Sequence, residues 1–217
     1  MNTEIIVKVC EILAEEYHKW EEPIVTQISK TKRDPFRVLI ATIISQRTKD
    51  EVTREASKRL FSIASTPEEM SKLKAEDVEQ CIYPAGFYRN KARHIIEAAG
   101  KISETYGGRV PDTLEELLNI RGVGRKTANL VLTLGFSKQG ICVDTHVHRI
   151  SNRFGYVRTK SPDETEFALR KKLPPEWWIP YNDLLVAHGQ NVCRPISPRC
   201  SECSVETLCE KKGVTSL

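Results

Sequence analysis

The sequence predicts an all-α protein. Apolar residues recur every three or four positions along most of the 217-residue chain, the spacing that lines one face of a helix. Many of these runs begin at a residue that caps helices and stop at glycine or proline. No stretch of useful length alternates apolar and polar residues as a half-buried strand would. A chain of this length can bury a substantial core in one or two domains.

The individual helices follow from these signals in order. A stripe of apolar residues marks the first helix, which ends before Pro23. Asp34-Pro35 starts the second, an unusually apolar helix that we expect at the centre of the core. Thr66, Thr113 and Ser161 each precede a glutamate by three positions, the capping-box pattern that begins a helix. The predicted helices span about residues 4–20, 34–45, 50–64, 66–83, 92–106, 113–120, 125–135, 145–154, 161–173 and 181–189.

Composition limits the class of protein. The net charge of +4 permits an anionic partner without establishing one. The longest apolar run, Val38–Ile44, is too short to cross a membrane, so no membrane association is expected. The N-terminal residues lack the basic and apolar regions of a secretory signal, which predicts a cytoplasmic protein. Seven cysteines, four of them near the C-terminus, fit reduced thiols better than a disulfide framework.

A glycine turn, Gly122-Val123-Gly124, separates two predicted helices and is followed by Arg125. Glycines allow unusual backbone torsions and carry no side chain that would hold a ligand away. The N-terminus of the following helix offers unpaired N–H groups and a positive dipole end, which together suit a phosphate. Two such glycines more often mark only a tight turn between helices, so they do not establish binding by themselves.

Two residues near this turn are candidates for chemistry. Lys126 lies in the first turn of the following helix, where a neutral amine could act as a nucleophile, although most lysines are solvated surface residues. Asp144 precedes a helical run and is expected to cap it. That structural role is compatible with a carboxylate that stabilises positive charge during a reaction.

Four cysteines crowd into a short C-terminal loop with the spacing C-x6-C-x2-C-x5-C. Four thiolates within seventeen residues indicate a metal site. Zinc is the competing metal, but zinc ribbons usually pair two C-x2-C knuckles across a longer spacer, and this loop has one knuckle. Arg194 and Arg199 lie in the loop and are expected to contact phosphates. The four cysteines are Cys193, Cys200, Cys203 and Cys209.

The string GVGRKTAN at 122–129, followed by VDTH at 143–146, resembles the endonuclease III branch of the helix-hairpin-helix (HhH-GPD) DNA glycosylase superfamily. The resemblance extends from about Asp34 to Cys209. The cysteine spacing is that of the family's cluster loop, so the resemblance implies a [4Fe-4S] cluster on the four cysteines. It also implies two helical domains, with DNA crossing the cleft between them. These would be 27–138, carrying the hairpin, and 1–26 with 139–217, carrying the cluster loop at 193–209.

The resemblance assigns roles to individual residues. Lys126 would attack the sugar carbon that bears a damaged base, form a Schiff base and nick the strand by β-elimination, with Asp144 assisting. The residues of the glycine turn, from Gly122 to Arg125, would hold a DNA phosphate. Gln46 would fill the gap left by a flipped nucleotide, and Phe87 would push into the base stack as a wedge. From sequence alone, Gln46 is equally a polar loop residue and Phe87 equally a core anchor.

Three functions remain open from the sequence. The first is a bifunctional glycosylase and abasic-site lyase in base excision repair, a monomer acting on double-stranded DNA with an oxidised pyrimidine or an abasic site. The second is a monofunctional mismatch glycosylase that removes uracil, thymine or adenine, although such relatives commonly lack a lysine at the position of Lys126. The third is a DNA-binding module without catalysis, which the joint presence of Lys126, Asp144 and the cysteine loop disfavours.

Overall fold

The computed structural model describes residues 1–31 and 33–214. Within them the chain forms helices and turns and no strand, so the predicted all-α fold is confirmed. The α-helices, in chain order, are α1 Thr3–Tyr17, α2 Ile24–Thr31, α3 Pro35–Ser45, α4 Asp50–Ile63, α5 Pro67–Ser71, α6 Ala75–Ile82, α7 Tyr88–Tyr106, α8 Leu114–Leu118, α9 Arg125–Leu130, α10 Thr145–Arg153, α11 Pro162–Lys172 and α12 Pro180–Asn191. None of the helices in the described ranges is both long and apolar enough to span a membrane.

The chain divides into two compact units. One, here called the split unit, combines Met1–Pro23 with Gln139–Leu217, and the other, the central unit, is Ile24–Lys138. The domain boundaries expected from the sequence, 26/27 and 138/139, remain a prediction.

The central unit is built around α3, as the sequence predicts. Asp34 caps this helix by accepting a hydrogen bond from the Phe36 N–H at 2.9 Å, and Pro35 occupies its first position. Eight of its eleven residues are buried. The amphipathic helix α7 packs against α3, α5 and α6 and contributes buried residues such as Ile95 and Ile102 to the same core. The core therefore holds the ends of α3 and α7 in fixed positions, where two loops carry candidate DNA contacts.

The split unit has its own core. The N-terminal helix α1 packs against α12, and α12 packs against α10. Ile6 and Leu13 of α1 and Leu185 of α12 are fully buried in this core. The buried hydroxyls of Ser151 and Tyr181 lie 3.0 Å apart and form a hydrogen bond between α10 and α12. Because α10 is packed in this way, its two ends are rigid supports for the groups they carry.

Several predicted helix boundaries are wrong. The helix α2 is missed, because it is short and follows Pro23 directly. The helix predicted over 66–83 is two helices, α5 and α6, because the chain after Ser71 turns through i→i−3 hydrogen bonds. The helix predicted from Ala92 begins at Tyr88, where Phe87 supplies a left-handed residue with φ of 58°.

The three predicted capping boxes also differ from one another. The box at Thr66 is complete, with both the hydroxyl and the glutamate bonded to backbone N–H groups. At Thr113 and Ser161 the hydroxyl accepts from the glutamate's N–H as expected. The carboxylates bind elsewhere, since Glu116 accepts from the Thr113 hydroxyl and Glu164 accepts from the Lys160 N–H.

Candidate nucleic-acid interface and catalytic residues

The two glycines of the turn before α9 do different things. Gly122 has φ of +82°, and a methyl group there would lie 2.9 Å from Cβ of His94, so only glycine fits. Gly124 has an extended backbone with φ of −93°, which any residue adopts, and a methyl group there would meet no described atom within 4 Å. Glycine is therefore required for the backbone torsion at position 122 and not at position 124. The missing side chain of Gly124 instead leaves the start of α9 uncovered.

The rest of the turn is anchored in the core of the central unit. The Val123 side chain is only 6% exposed, so a ligand would meet its backbone and not its side chain. Arg125 opens α9, and its carbonyl accepts a hydrogen bond from Nδ2 of Asn129 at 3.1 Å. The N-cap residue of α9 is Gly124, which has no side chain to accept from the first N–H groups of the helix. The first backbone N–H groups of α9 therefore lie beside an exposed residue that has no side chain.

Lys126 lies half-buried in the first turn of α9. Its neighbour Thr127 is buried, and the Thr127 hydroxyl accepts a hydrogen bond from Nε2 of Gln46 at 3.3 Å. The structure therefore brings Gln46, predicted separately from the sequence, next to the helix turn that carries the lysine.

Gln46 and Phe87 lie on two loops of the central unit that contact each other. Gln46 ends α3, and Phe87 immediately precedes α7 with its ring 61% exposed. The interpretation of Phe87 as a core anchor is therefore wrong. Lys91, in the first turn of α7, is 4% exposed and reaches back to the end of α3. Burial lowers the pKa of Lys91 to about 8, because the ammonium loses its water.

Asp144 belongs to the split unit and caps α10, as the sequence predicts. Its Oδ1 accepts hydrogen bonds from the N–H groups of His146 at 2.8 Å and Val147 at 2.9 Å. The carboxylate is half-buried and held at the positive end of the helix dipole. It is thereby fixed in orientation before any substrate arrives.

Two arginines of α10 that the sequence did not single out connect this helix to the cysteine loop. Nη2 of Arg149 donates to the Cys193 carbonyl at 2.8 Å. Arg153 is 8% exposed and donates to the carbonyl of Arg194 at 2.6 Å and to the carbonyl of Pro195 at 2.8 Å. Sequence patterns gave no signal for these roles, because the partners lie about forty residues away. One helix thus supports Asp144 at its first end and the loop at its last turn.

The four predicted metal ligands line one pocket in the split unit, and each is half-buried and free of disulfides. Donors surround the sulfurs, since Nη1 of Arg153 lies 3.4 Å from Sγ of Cys193 and the Lys211 N–H lies 3.3 Å from Sγ of Cys209. Burial raises the pKa of Cys203 to about 11, so that a bare thiol stays protonated, whereas a bound cation favours the thiolate. Within the described ranges no three His, Cys, Asp or Glu side chains already form a closed ligand set. The sulfur-only donors and the N–H groups around them fit an iron–sulfur cluster.

The two arginines predicted to contact DNA from this loop are both exposed. Arg194 offers its carbonyl to Arg153, while its side chain lies at the surface. Nη1 of Arg199 lies 3.4 Å from a carboxylate oxygen of Glu202, an exposed pair that costs little to separate.

The chain is similar to a known protein family, to curated proteins and to solved structures over most of its length. Residues 40–175 match the family described as HhH-GPD superfamily base excision DNA repair protein. Endonuclease III of Thermotoga maritima is 55% identical over 177 residues, covering 82% of this chain and 83% of that protein. Chloroplastic endonuclease III homolog 1 of Arabidopsis thaliana is 44% identical over 183 residues, covering 80% of this chain and 48% of that longer protein. A solved structure of a trapped endonuclease III–DNA covalent intermediate is 34% identical with a TM-score of 0.87, covering 97% of each chain.

Proposed function

The chain belongs to the HhH-GPD superfamily of base excision DNA repair proteins, and we propose that it is a bifunctional DNA glycosylase and abasic-site lyase that removes oxidised pyrimidines. One observation carries the proposal. Lys126 stands in the first turn after the glycine turn, in a chain similar over 97% of its length to a protein trapped covalently on DNA. A covalent adduct needs a nucleophile, and a lysine amine forms Schiff bases with sugar aldehydes.

The mechanism assigns one step to each residue. The amine of Lys126 attacks the sugar carbon that bears the damaged base, and the bond from that carbon to the base breaks, so that the base leaves and takes a proton from water. A proton then passes from the amine to the ring oxygen as the C–O bond of the sugar ring breaks, which gives the Schiff base. The resulting Schiff base makes the neighbouring proton acidic, and β-elimination then breaks the strand on the 3′ side. Asp144 stabilises positive charge on the opening sugar and assists proton transfer from the amine. The two residues belong to different compact units, so the proposal requires both units to reach the same nucleotide.

DNA is held by contacts that do not read sequence. The uncovered start of α9, from Gly122 to Arg125, binds one phosphate through backbone N–H groups. Gln46 fills the space that the flipped nucleotide leaves, and Phe87 enters the base stack. Arg194 and Arg199 contact phosphates from the cysteine loop. The exposure of Phe87 and of the two arginines supports this assignment.

We propose a [4Fe-4S] cluster on Cys193, Cys200, Cys203 and Cys209. When bound, the cluster cross-links the loop and gives it a fixed shape. Its role is structural, because neither amine attack nor β-elimination needs redox chemistry. The protein acts as a monomer and is located on DNA through these contacts.

Borohydride trapping tests the function. The protein is mixed with a duplex that carries one abasic site or one oxidised thymine, and borohydride is added to reduce any Schiff base to a stable adduct. We expect a covalent protein–DNA adduct with the wild type and none with Lys126→Ala. Asp144→Asn should keep the cap geometry but slow adduct formation by about 100-fold or more, the usual contribution of a positioned acid–base group.

Other outcomes select the other functions. Free base released without a nick or an adduct would identify a monofunctional glycosylase. Tight DNA binding with neither product would identify a binding module. An adduct that survives Lys126→Ala would assign the nucleophile to another residue.

A further inference from the structure

Two loops of the central unit are fastened together before any DNA is bound. The ammonium of Lys91 donates to the carbonyls of Ile44 at 2.7 Å and Gln46 at 2.5 Å, and to the Thr48 hydroxyl at 2.7 Å. The same hydroxyl accepts from the Gly86 N–H at 3.1 Å. The loop after α3 and the loop before α7 are therefore one connected element, here called the clamped loops, residues 46–48 and 86–87, which Lys91 of α7 fastens together.

The backbone of one clamped loop leaves no room for a side chain at Gly86 of the other. A methyl group at Gly86 would lie 2.5 Å from the Arg47 carbonyl oxygen, so this contact requires glycine. Arg47 has φ of 52° and Phe87 has φ of 58°, a left-handed backbone conformation that residues other than glycine rarely adopt. Such residues persist only where their surroundings hold them, and they concentrate at functional sites.

The same geometry brings two exposed side chains into contact. The guanidinium carbon of Arg47 lies 5.6 Å from the centre of the Phe87 ring, within the range of a cation–π interaction. Both side chains face solvent, where a lone phenylalanine ring would rotate among rotamers. A planar guanidinium on one face restricts that rotation and leaves the other face of the ring open.

We propose that Arg47 is a positioning residue for the Phe87 wedge, so that the two side chains act on the base stack as one preassembled unit. This rests on the proposed function, in which Phe87 enters the stack. Arg47 holds the ring in the orientation for insertion. When the ring inserts, the positive charge of the guanidinium comes near the DNA phosphates. Lys91 and Thr48 keep the two backbones in register, so that the pair forms before DNA arrives and less ordering remains for the encounter.

A double-mutant cycle separates this role from a simple charge contact. Arg47→Asn and Phe87→Asn are suitable because asparagine tolerates the left-handed backbone and removes the side chain's ring or charge. The readouts are the fluorescence of 2-aminopurine placed beside an oxidised thymine, which reports unstacking, and the single-turnover rate of base release.

We expect Phe87→Asn to slow base release by about tenfold or more, since the wedge offsets part of the unstacking energy. Arg47→Asn should slow it by about two- to fivefold, the size of an exposed cation–π contact. The double variant should be no slower than Phe87→Asn alone. Arg47→Lys keeps the charge but not the planar stacking group, so it should restore only part of the rate.

Arg89→Ala is the matched control, because Arg89 is an exposed arginine of the neighbouring helix turn that lies over Tyr88, 5.5 Å from its ring centre. It should leave the 2-aminopurine signal unchanged. Equal effects of Arg47→Asn in the presence and absence of the Phe87 ring would overturn the proposal, as would full rescue by Arg47→Lys. Thermal unfolding shows whether each variant is folded. If Arg47→Asn does not fold, the rate of base release by Arg47→Lys decides the test.

Cleavage of an abasic site in single-stranded DNA checks that each variant keeps its lyase chemistry, because such a site needs no wedge and all variants should cleave it at the same rate. The borohydride test with duplex DNA keeps the two proposals distinguishable. Absence of an adduct with either duplex in the wild type would reject the proposed function, whereas an adduct together with additive effects in the cycle would reject only the role of Arg47.

Discussion

At position 122 the backbone torsion and the nearby His94 side chain both require glycine, while at position 124 neither requirement exists. The sequence could not distinguish the two, because the string Gly-Val-Gly contains no sign of what packs beside each residue. Gly122 shapes the turn, and Gly124 keeps the start of α9 open to a ligand. A structural function and a binding function are thus separated by two positions.

Paired substitutions test this separation. Gly122→Ala should destabilise the protein by roughly 1–3 kcal/mol, because alanine resists the left-handed torsion and its methyl group meets His94. Gly124→Ala should change stability by at most about 0.5 kcal/mol. It should weaken DNA binding by about tenfold, because the methyl group covers the phosphate site. Urea unfolding and fluorescence anisotropy with an abasic-site duplex measure the two quantities.

The reverse result would be informative. If Gly124→Ala binds DNA with unchanged affinity, the phosphate does not lie against the start of α9. If Gly122→Ala is as stable as the wild type, the turn has enough freedom to move away from His94.

At the scale of elements, α10 joins two parts of the candidate machinery. Asp144 caps its start, and Arg149 and Arg153 hold the cysteine loop from its middle and its end. A helix of nine residues therefore connects the loop to the carboxylate. If the proposed cluster is bound, its task is structural, because it performs no step of the proposed reaction.

Arg153→Lys tests this link while keeping a positive charge. Lysine cannot contact both carbonyls and Sγ of Cys193 in the fixed geometry of a guanidinium. We expect less iron and acid-labile sulfide per chain, weaker visible absorption, and stability lower by about 1–3 kcal/mol. Arg158→Lys, an exposed arginine after the same helix, is the matched control. Zinc in place of iron in the wild type would contradict the cluster, and full iron content in Arg153→Lys would contradict the role of the arginine.

The sequence predicted elements whose signals are local. The apolar α3 with its Asp34 cap, the cap at Asp144 and the glycine stop at Gly107 of α7 all follow from residues within a few positions. It missed α2, because this helix has only eight residues and directly follows Pro23. Arg153 and Lys91 were missed for a different reason, since a buried cation is held by distant carbonyls that the sequence does not show.

At the scale of the whole molecule, the candidate groups are divided between two units with separate cores. Lys126, Gln46 and Phe87 belong to the central unit, whereas Asp144 and the cysteine loop belong to the split unit. If the proposed reaction is right, one DNA molecule must bind both. The chain offers a natural probe of this, because all three tryptophans, Trp20, Trp177 and Trp178, belong to the split unit.

Thermal unfolding followed by tryptophan fluorescence therefore reports on the split unit, while far-UV circular dichroism reports on both units. A duplex with a non-cleavable abasic-site analogue should raise the midpoints of both transitions, since a ligand that binds only the native state stabilises it by mass action. Arg194→Ala with Arg199→Ala should leave the DNA-free midpoints unchanged, because both side chains are exposed. The DNA-induced rise in the tryptophan midpoint should shrink, because two phosphate contacts are lost.

The matched control removes two charges from elsewhere in the split unit. Lys8 and Lys171 are exposed, and replacing both with alanine changes the net charge by the same amount as the arginine pair. That variant should keep the DNA-induced rise, apart from a small loss of long-range attraction that salt removes. If both variants lose the same part of the DNA-induced rise, the loop arginines contribute only through the net charge of the protein. A tryptophan midpoint that DNA does not move at all would confine DNA to the central unit and separate Asp144 from the reaction of Lys126.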